Sequence, residues 1–200
     1  MNFFLNRIRV SAILTITAAL LLLVFSAGRA AASPMRDIER LTPSRTTVCF
    51  FEGQYLADLV LNARGKLTFL FVDRKLADAL RRGQRAEQGQ GGFSEIHPQI
   101  YAYATKSKRG HLLFIVRVQA LKSWKFDSSM LSIGDYSPIN ENIITGIASN
   151  PTMELKFGES DLAGGYDGYI GFFVPTENVK PGETINLGYA TDHVEWEVPN

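Results

Sequence analysis

Three histidines, His97, His111 and His193, are the residues of this chain best suited to acid–base or metal chemistry. Only His193 has carboxylates at a useful spacing, because Glu195 and Glu197 would share its face of a strand. Alternate residues of a strand are about 7 Å apart, so at most two of these three side chains could share one ion. The spacing predicts an exposed polar face, with a metal site as the alternative.

An acidic connection between residues 158 and 168 gathers a second set of oxygen ligands: Glu159, Asp161 and Asp167. It lacks the D-x-D-x-D-G spacing of a calcium loop and the closing bidentate Glu. We expect an ordinary solvated loop, and the sequence leaves open whether residues 159–167 bind an ion. The chain has no H-E-x-x-H, G-x-S-x-G or C-x-x-C motif. We therefore predict no catalytic residue, no cofactor and no metal.

Basic side chains gather in two short stretches and could grip phosphate-bearing lipid or polysaccharide: Arg81, Arg82, Arg85, Lys106, Lys108 and Arg109. The alternative for the arginines is structural, because cations at the end of a helix interact favourably with its dipole. The alternative for the second stretch is a solvated hairpin tip. We expect no nucleic-acid partner, because one half of the chain is strongly acidic and the N-terminal residues described below predict export.

Cys49 is the only cysteine, so an internal disulfide cannot form. It lies in the β-like run Thr47–Phe51, where nothing local would activate a thiol, and we expect it to be buried in the core. Tyr136, Tyr166 and Tyr169 lie in or beside loops. They form either an exposed aromatic binding patch or the edge of the core.

Residues 1–32 have the pattern of a secretory signal peptide. Arg7 and Arg9 precede an apolar run, and Ala30–Ala32 form a small-residue cleavage site. This predicts an extracytoplasmic protein, periplasmic or secreted. The alternative is an uncleaved anchor, because residues 10–28 are long enough to cross a bilayer.

The remaining chain divides into a lead-in segment, 33–45, and a single domain, 46–200. Its charge is uneven, because residues 33–125 carry 16 basic and 8 acidic side chains and residues 126–200 carry 2 and 12. Strands from both halves of a sandwich interleave, which would neutralise the two halves. If the halves form opposite faces instead, the molecule is a dipole.

Apolar residues alternate with period two along three runs near the end of the chain. The runs contain Ile170, Phe172 and Val174, then Ile185, Leu187 and Tyr189, then Val194, Trp196 and Val198. Pro181-Gly182 suits the centre of a type II turn between the first two runs. This pattern predicts an antiparallel meander, with Trp196 in the core.

Upstream, the pattern predicts a strand over 46–51, a hairpin of 57–61 with 66–72, and a second hairpin of 100–105 with 111–121. Further strands are expected over 124–126, 130–133 and 153–157. One short helix is predicted over 73–83, because Asp73 suits an N-cap and Gly83 a C-terminal glycine. Together these elements predict an all-β fold, an immunoglobulin-like antiparallel β-sandwich with one short helix.

Two stretches resemble a known family. The first is Leu112–Lys122 followed by Phe126–Asp135, and the second is Gly168-Tyr-Ile-Gly-Phe-Phe-Val-Pro followed by Leu187-Gly-Tyr. Together they resemble the telokin-like immunoglobulin-fold domains attached to many exported bacterial proteins. The resemblance covers about residues 100–190 and implies fold and compartment, but it transfers no catalytic residue.

The sequence predicts a non-enzymatic, exported interaction domain that binds a protein or cell-envelope component through its loops. A membrane is a partner only if residues 10–28 are retained as an anchor. The alternative is an exported hydrolase or metal-dependent enzyme whose site is assembled from distant residues.

Overall fold

A computed structural model describes residues 34–57, 59–90, 98–147 and 151–200. The predicted signal peptide and His97 lie outside the described residues. Residues Pro34–Asn200 belong to one compact unit. The helices of the described ranges are too short or too polar to cross a membrane.

The strands are β1 (Thr46–Phe51), β2 (Gln54–Leu56), β3 (Leu59–Leu61), β4 (Gly65–Val72), β5 (His111–Ala120), β6 (Trp124–Asp127), β7 (Leu131–Ile133), β8 (Ile143–Ile144), β9 (Glu159–Leu162), β10 (Asp167–Pro175), β11 (Thr184–Tyr189) and β12 (Asp192–Glu197). The helices are α1 (Pro34–Leu41), α2 (Arg74–Gln90) and α3 (Pro98–Ala104). The fold is thus mostly antiparallel β-structure, as predicted, but the described residues contain three α-helices where the sequence predicted one.

The centre of the fold is a five-stranded antiparallel sheet with the strand order β1–β4–β5–β10–β8. Its three central strands, β4, β5 and β10, are apolar on both faces, because each face packs on a different layer. In β4, Leu67, Phe69 and Phe71 enter one core while Leu70 and Val72 enter the other. The sheet is therefore the middle of three layers.

The three helices cover one face of this sheet. Asp73 caps α2 as predicted, since its Oδ1 accepts the backbone N–H of Leu76 at 2.8 Å. The predicted end of this helix at Gly83 is wrong, because α2 continues to Gln90. Gly83 is buried inside the helix, and a Cβ there would lie 2.9 Å from Ile38 Cδ1 of α1. The glycine thus allows α1 to pack closely rather than ending α2.

The second predicted hairpin is half wrong, because α3 replaces the strand expected over 100–105. The ring of Tyr103 fills the space above Gly171 in β10, where a Cβ would lie 2.4 Å from the ring. This tertiary packing outweighs the β-like local pattern. The lead-in segment likewise contains a helix, and Ile38 of α1 is only 2% exposed.

The opposite face of the central sheet packs on the sheet β12–β11–β7 and on the pair β6–β9. The predicted C-terminal meander is half right, because β11 and β12 pair antiparallel as expected, but β10 joins the central sheet instead of pairing with β11. The predicted turn at Pro181-Gly182 is confirmed, since Gly182 has φ +77° and Glu183 N–H donates to Lys180 O at 3.2 Å. Trp196 is 8% exposed and lies in the core, as predicted.

The first predicted hairpin is also wrong in its pairing. β4 pairs with β1, and the residues expected to pair with β4 form β3, which pairs with β2. The β1–β4 hairpin is therefore extended at its turn by a second, smaller hairpin. Residues 153–157 form no strand apart from a bridge at Glu154, and the acidic connection after them contains β9.

Candidate binding surfaces at the two ends of the sheet

The central sheet has two chemically different ends. At one end Gly65 of β4 faces Ala120 of β5, and at the other end Val72 faces Leu113. The seven residue steps from Leu113 to Ala120 place these ends about 23 Å apart. We call the end at Gly65 the hairpin end and the end at Val72 the cationic end.

The hairpin end carries the small hairpin of residues 54–61, here named the apolar tip. Four large apolar side chains of this tip are strongly exposed: Tyr55 (64%), Leu56 (63%), Leu59 (63%) and Leu61 (44%). Leu56 faces Leu59 across the hairpin and Leu61 faces Gln54, whereas Tyr55 faces Val60 on the other side. Apolar groups thus project from both faces of the tip.

Polar contacts fasten the base of the tip to the body of the domain. Arg64 forms an ion pair with Glu52 at 2.6 Å and donates to Ser123 O at 2.8 Å. Lys122 Nζ donates to Asn62 O at 3.0 Å. The tip is therefore held in place while its apolar side chains remain in water.

The backbone of this region is strained at its bends. Four described residues other than glycine have positive φ, and three of them lie here: Glu52 (+51°), Ala57 (+50°) and Asn62 (+59°). Asn tolerates the left-handed region, but Glu and Ala do so at a cost of about 1–2 kcal/mol each. Strain of this kind concentrates at functional sites.

The cationic end contains a pocket of about 240 Å³ beside α2. Arg74, Ala77 and Arg81 line it from one face of the helix, since residues three and four apart lie on the same side. Lys106, between α3 and β5, and His111, the first residue of β5, close it on the other side. His111 Nδ1–H donates to Arg109 O at 2.9 Å, so that carbonyl fixes the proton on Nδ1.

The structure brings only part of the predicted cation set into this pocket. Arg81 and Lys106 line it, whereas Arg82 forms an ion pair with Asp37 at 3.2 Å and Lys108 Nζ donates to Asn142. Arg85 lies farther along α2 on an open surface with Arg81 and Arg82.

Arg74 is the pocket cation that the sequence did not indicate. Arg81 is already paired with Asp78 at 2.6 Å. In the described ranges, by contrast, neither Arg74 nor Lys106 has a carboxylate within 4.0 Å. The position of Arg74 next to the helix cap Asp73 was the signal in the sequence that could have identified Arg74, because the first turn of α2 lies at this end of the sheet.

A groove of about 600 Å³ adjoins the pocket. Both share Asp73, Arg74 and Leu112 as lining residues, so they are neighbouring parts of one surface. The groove is mainly apolar, and its walls include Phe71, Leu112, Thr176, Val179 and Val198. Lys75 and Lys180 lie at its rim. Asp73, the carboxylate shared by both cavities, is occupied by Arg45 at 2.6 Å.

The side chains weighed as an alternative metal site form no cluster of three in the described ranges. No group of three His, Cys, Asp or Glu side chains within the described ranges could hold a metal ion. His193, Glu195 and Glu197 are exposed on one face of β12, as predicted, and His193 Nδ1 contacts Thr191 O at 3.3 Å. Neither His111 nor His193 contacts a carboxylate in the part of the chain that the structure describes.

The acidic connection is divided between two ion pairs. Glu159 pairs with Lys125 at 2.7 Å, and Asp167 pairs with Arg117 through both carboxylate oxygens. Asp161 lies on β9 opposite Lys125. Its carboxylates therefore balance local cations instead of converging.

Cys49 is 1% exposed, which confirms its predicted place in the core. Burial, together with the charge of Asp192, raises the pKa of its thiol to about 11. The aromatic patch is not formed, because Tyr169 is 3% exposed and Tyr136 and Tyr166 pack against the core. Tyr136 also donates to Phe173 O at 3.3 Å and accepts from Asn142 Nδ2 at 2.6 Å.

No protein-family model, curated protein or solved structure matches this chain.

Proposed function

We propose that this protein is an exported interaction domain and not an enzyme, and that the apolar tip docks on its partner. The observation that carries this proposal is the exposure of Tyr55, Leu56 and Leu59, each above 60% on one short hairpin. Exposed apolar patches mark interaction sites, since a stable solution fold gains nothing from leaving such side chains in water. The strained backbone at Glu52 and Ala57 adds to this support.

The partner is a protein of the cell envelope that offers an apolar cleft. Both faces of the tip are apolar, which suits insertion between two walls. Within the described ranges β2 and β3 pair only with each other, so their outer edges offer backbone groups to a partner strand. The sequence also places Asp58 between these strands. A protein cleft can pair this carboxylate, whereas the core of a bilayer would exclude it.

We also propose that the protein is exported and that its fold is immunoglobulin-like. Export is supported by the signal-peptide pattern of residues 1–32. An immunoglobulin-like sandwich related to telokin-like domains is supported by the packing of the central sheet on β12–β11–β7. The helical layer is the departure from such a domain, since it covers a face that a two-layer sandwich leaves to solvent.

Site-specific photo-crosslinking in the producing cell tests the docking role. A photoreactive phenylalanine analogue replaces Leu56 in one variant and Phe157, which is 40% exposed elsewhere on the surface, in the matched control. We expect a discrete crosslinked protein from position 56 and none from position 157. Adding Leu59→Ser should abolish the crosslink at position 56. Equal products from both positions, or none from position 56, would refute the docking role.

A further inference from the structure

We infer that the cationic pocket and the adjoining groove form one binding site for a small amphiphile with a single anionic head group and a single apolar chain. This site is separate from the apolar tip and goes beyond the proposed docking function, because the two lie at opposite ends of β5.

The head group is assigned by charge. Arg74, Arg81 and Lys106 converge on the pocket with the imidazole of His111. Of these, Arg74 and Lys106 have no carboxylate partner among the described residues, so an entering anion would find two uncompensated cations. With its proton on Nδ1 and donated to Arg109 O, His111 offers Nε2 as an acceptor, which could take a hydrogen bond from a P–OH group but donates none. A carboxylate or phosphate monoester matches the charged donors of Arg74 and Lys106.

The apolar chain of the ligand is inferred from the groove. Its volume of about 600 Å³ lies within the range of pockets that take small ligands. Leu112 and Phe71 present apolar surface directly beside Arg74, which lines both cavities. One molecule can therefore place its anion beyond Arg74 and lay its chain over Leu112 toward Val179. A free inorganic anion would leave the groove unused, and a neutral lipid would leave the cations uncompensated.

Titration calorimetry of the purified protein tests this with soluble probes below their micelle concentrations. The probes are octyl, decyl and dodecyl phosphate, dodecanoate, decyl maltoside as a neutral amphiphile, and inorganic phosphate. We expect one saturable site for the alkyl phosphates, with affinity rising up to about fourfold for each added methylene group. Dodecanoate distinguishes a carboxylate head from a phosphate head. Decyl maltoside and inorganic phosphate should bind at least tenfold more weakly than decyl phosphate.

The variants Arg74→Gln and Lys106→Gln should each weaken dodecyl phosphate about tenfold, because each removes a charged donor. Lys125→Gln is the matched control, since Lys125 is an exposed lysine on β6, outside both cavities, and should leave binding unchanged. A Trp124→Phe variant retains Trp196 as the sole tryptophan, and its emission reports on the groove through Phe71, whose ring lies 5.7 Å away. The change in this emission on addition of dodecyl phosphate should saturate at the same ligand concentrations as the heat measured by calorimetry.

Three results would overturn the inference. Affinity independent of chain length would show that only the head group binds. Equal loss in Lys125→Gln and Arg74→Gln would show general charge attraction. Tight binding of decyl maltoside would show that the groove takes apolar chains without regard to the pocket.

Discussion

The two ends of the central sheet differ in what they leave unsatisfied. The hairpin end exposes apolar side chains on a strained backbone, whereas at the cationic end Arg74 and Lys106 have no counter-charge among the described residues. Both ends are nevertheless built on a tryptophan, Trp124 beneath the hairpin and Trp196 beneath the groove. Stability therefore resides in the shared aromatic core, whereas the candidate binding groups lie outside it.

The largest expected effects come from removing these two tryptophans. Trp124 stacks on Phe51 at 5.1 Å, and a Cβ at Gly65 would lie 2.4 Å from its ring. Trp124→Ala and Trp196→Ala should each lower the free energy of unfolding by about 3–5 kcal/mol, measured by denaturant titration. If only one of the two variants is strongly destabilised, the two ends do not depend equally on the aromatic core.

Glu195→Ala is the control for Trp196 and should change the free energy of unfolding by no more than about 0.5 kcal/mol, because Glu195 is exposed. A mild Trp196→Ala together with a severe Glu195→Ala would reverse the register of β12. It would also indicate a bound partner at His193 and Glu195.

At the cationic end, Asp73→Ala should lower the free energy of unfolding by about 3 kcal/mol, because it leaves the Arg45 guanidinium, whose side chain is 5% exposed, without its counter-charge. Burial acts to raise the pKa of Asp73, but the hydrogen bonds from Arg45 and from the Leu76 N–H outweigh it, and the pKa is lowered overall. The stabilisation should therefore be complete above the ordinary carboxyl pKa near 4 and lost as the pH falls through the lowered value.

Denaturant titrations of wild type and Asp73→Ala across this acidic range measure the effect, and the difference between them should narrow as the pH falls. Asp78→Ala, which removes an exposed partner of Arg81, should cost less than about 1 kcal/mol. A difference that does not change with pH would show that the helix cap, and not the charge of Asp73, supplies the stabilisation.

The sequence predicted what depends on local chemistry and failed where distant packing decides. The alternation in β4, the Asp73 cap and the Pro181-Gly182 turn were all readable, since each depends on neighbours within a few residues. Gly83 looks like a helix end, but Ile38, 45 residues earlier in the chain, explains it. Residues 100–105 alternate like a strand, yet the space above Gly171 makes them helical.

The candidate sites were predicted only in part for the same reason. The sequence identified Arg81 and Lys106 as possible anion ligands but not that Arg74 and His111 join them, because that requires knowing that α2 and β5 meet at one end of the sheet. The apolar tip was misassigned to a strand pairing with β4. Residues 57–61 were expected to pair with β4, whereas Leu59 and Leu61 pair with β2 and are exposed.

Thiol labelling compares the core with the tip at the hairpin end. Cys49 is buried with a pKa of about 11, so its thiolate is scarce at neutral pH and hard to reach. A single thiol at the tip, in Cys49→Ala/Leu56→Cys, should react at least about a hundredfold faster than Cys49 of the wild type. Maleimide labelling followed by mass spectrometry gives both rates. Equal rates would mean that β1 opens readily beneath the tip.

The smallest effect on stability is expected at the apolar tip itself. Leu56→Ser and Leu59→Ser should each change the free energy of unfolding by no more than about 0.5 kcal/mol, because both side chains are 63% exposed and lose little packing. Leu67→Ala on β4 is the matched control, since Leu67 is 0% exposed and should cost about 2–5 kcal/mol. Denaturant midpoints of the three variants decide the matter. A tip variant as destabilising as Leu67→Ala would mean that these leucines are packed against the protein in solution. The hairpin end would then not present a free apolar surface to a partner, and the contrast with the cationic end would fail.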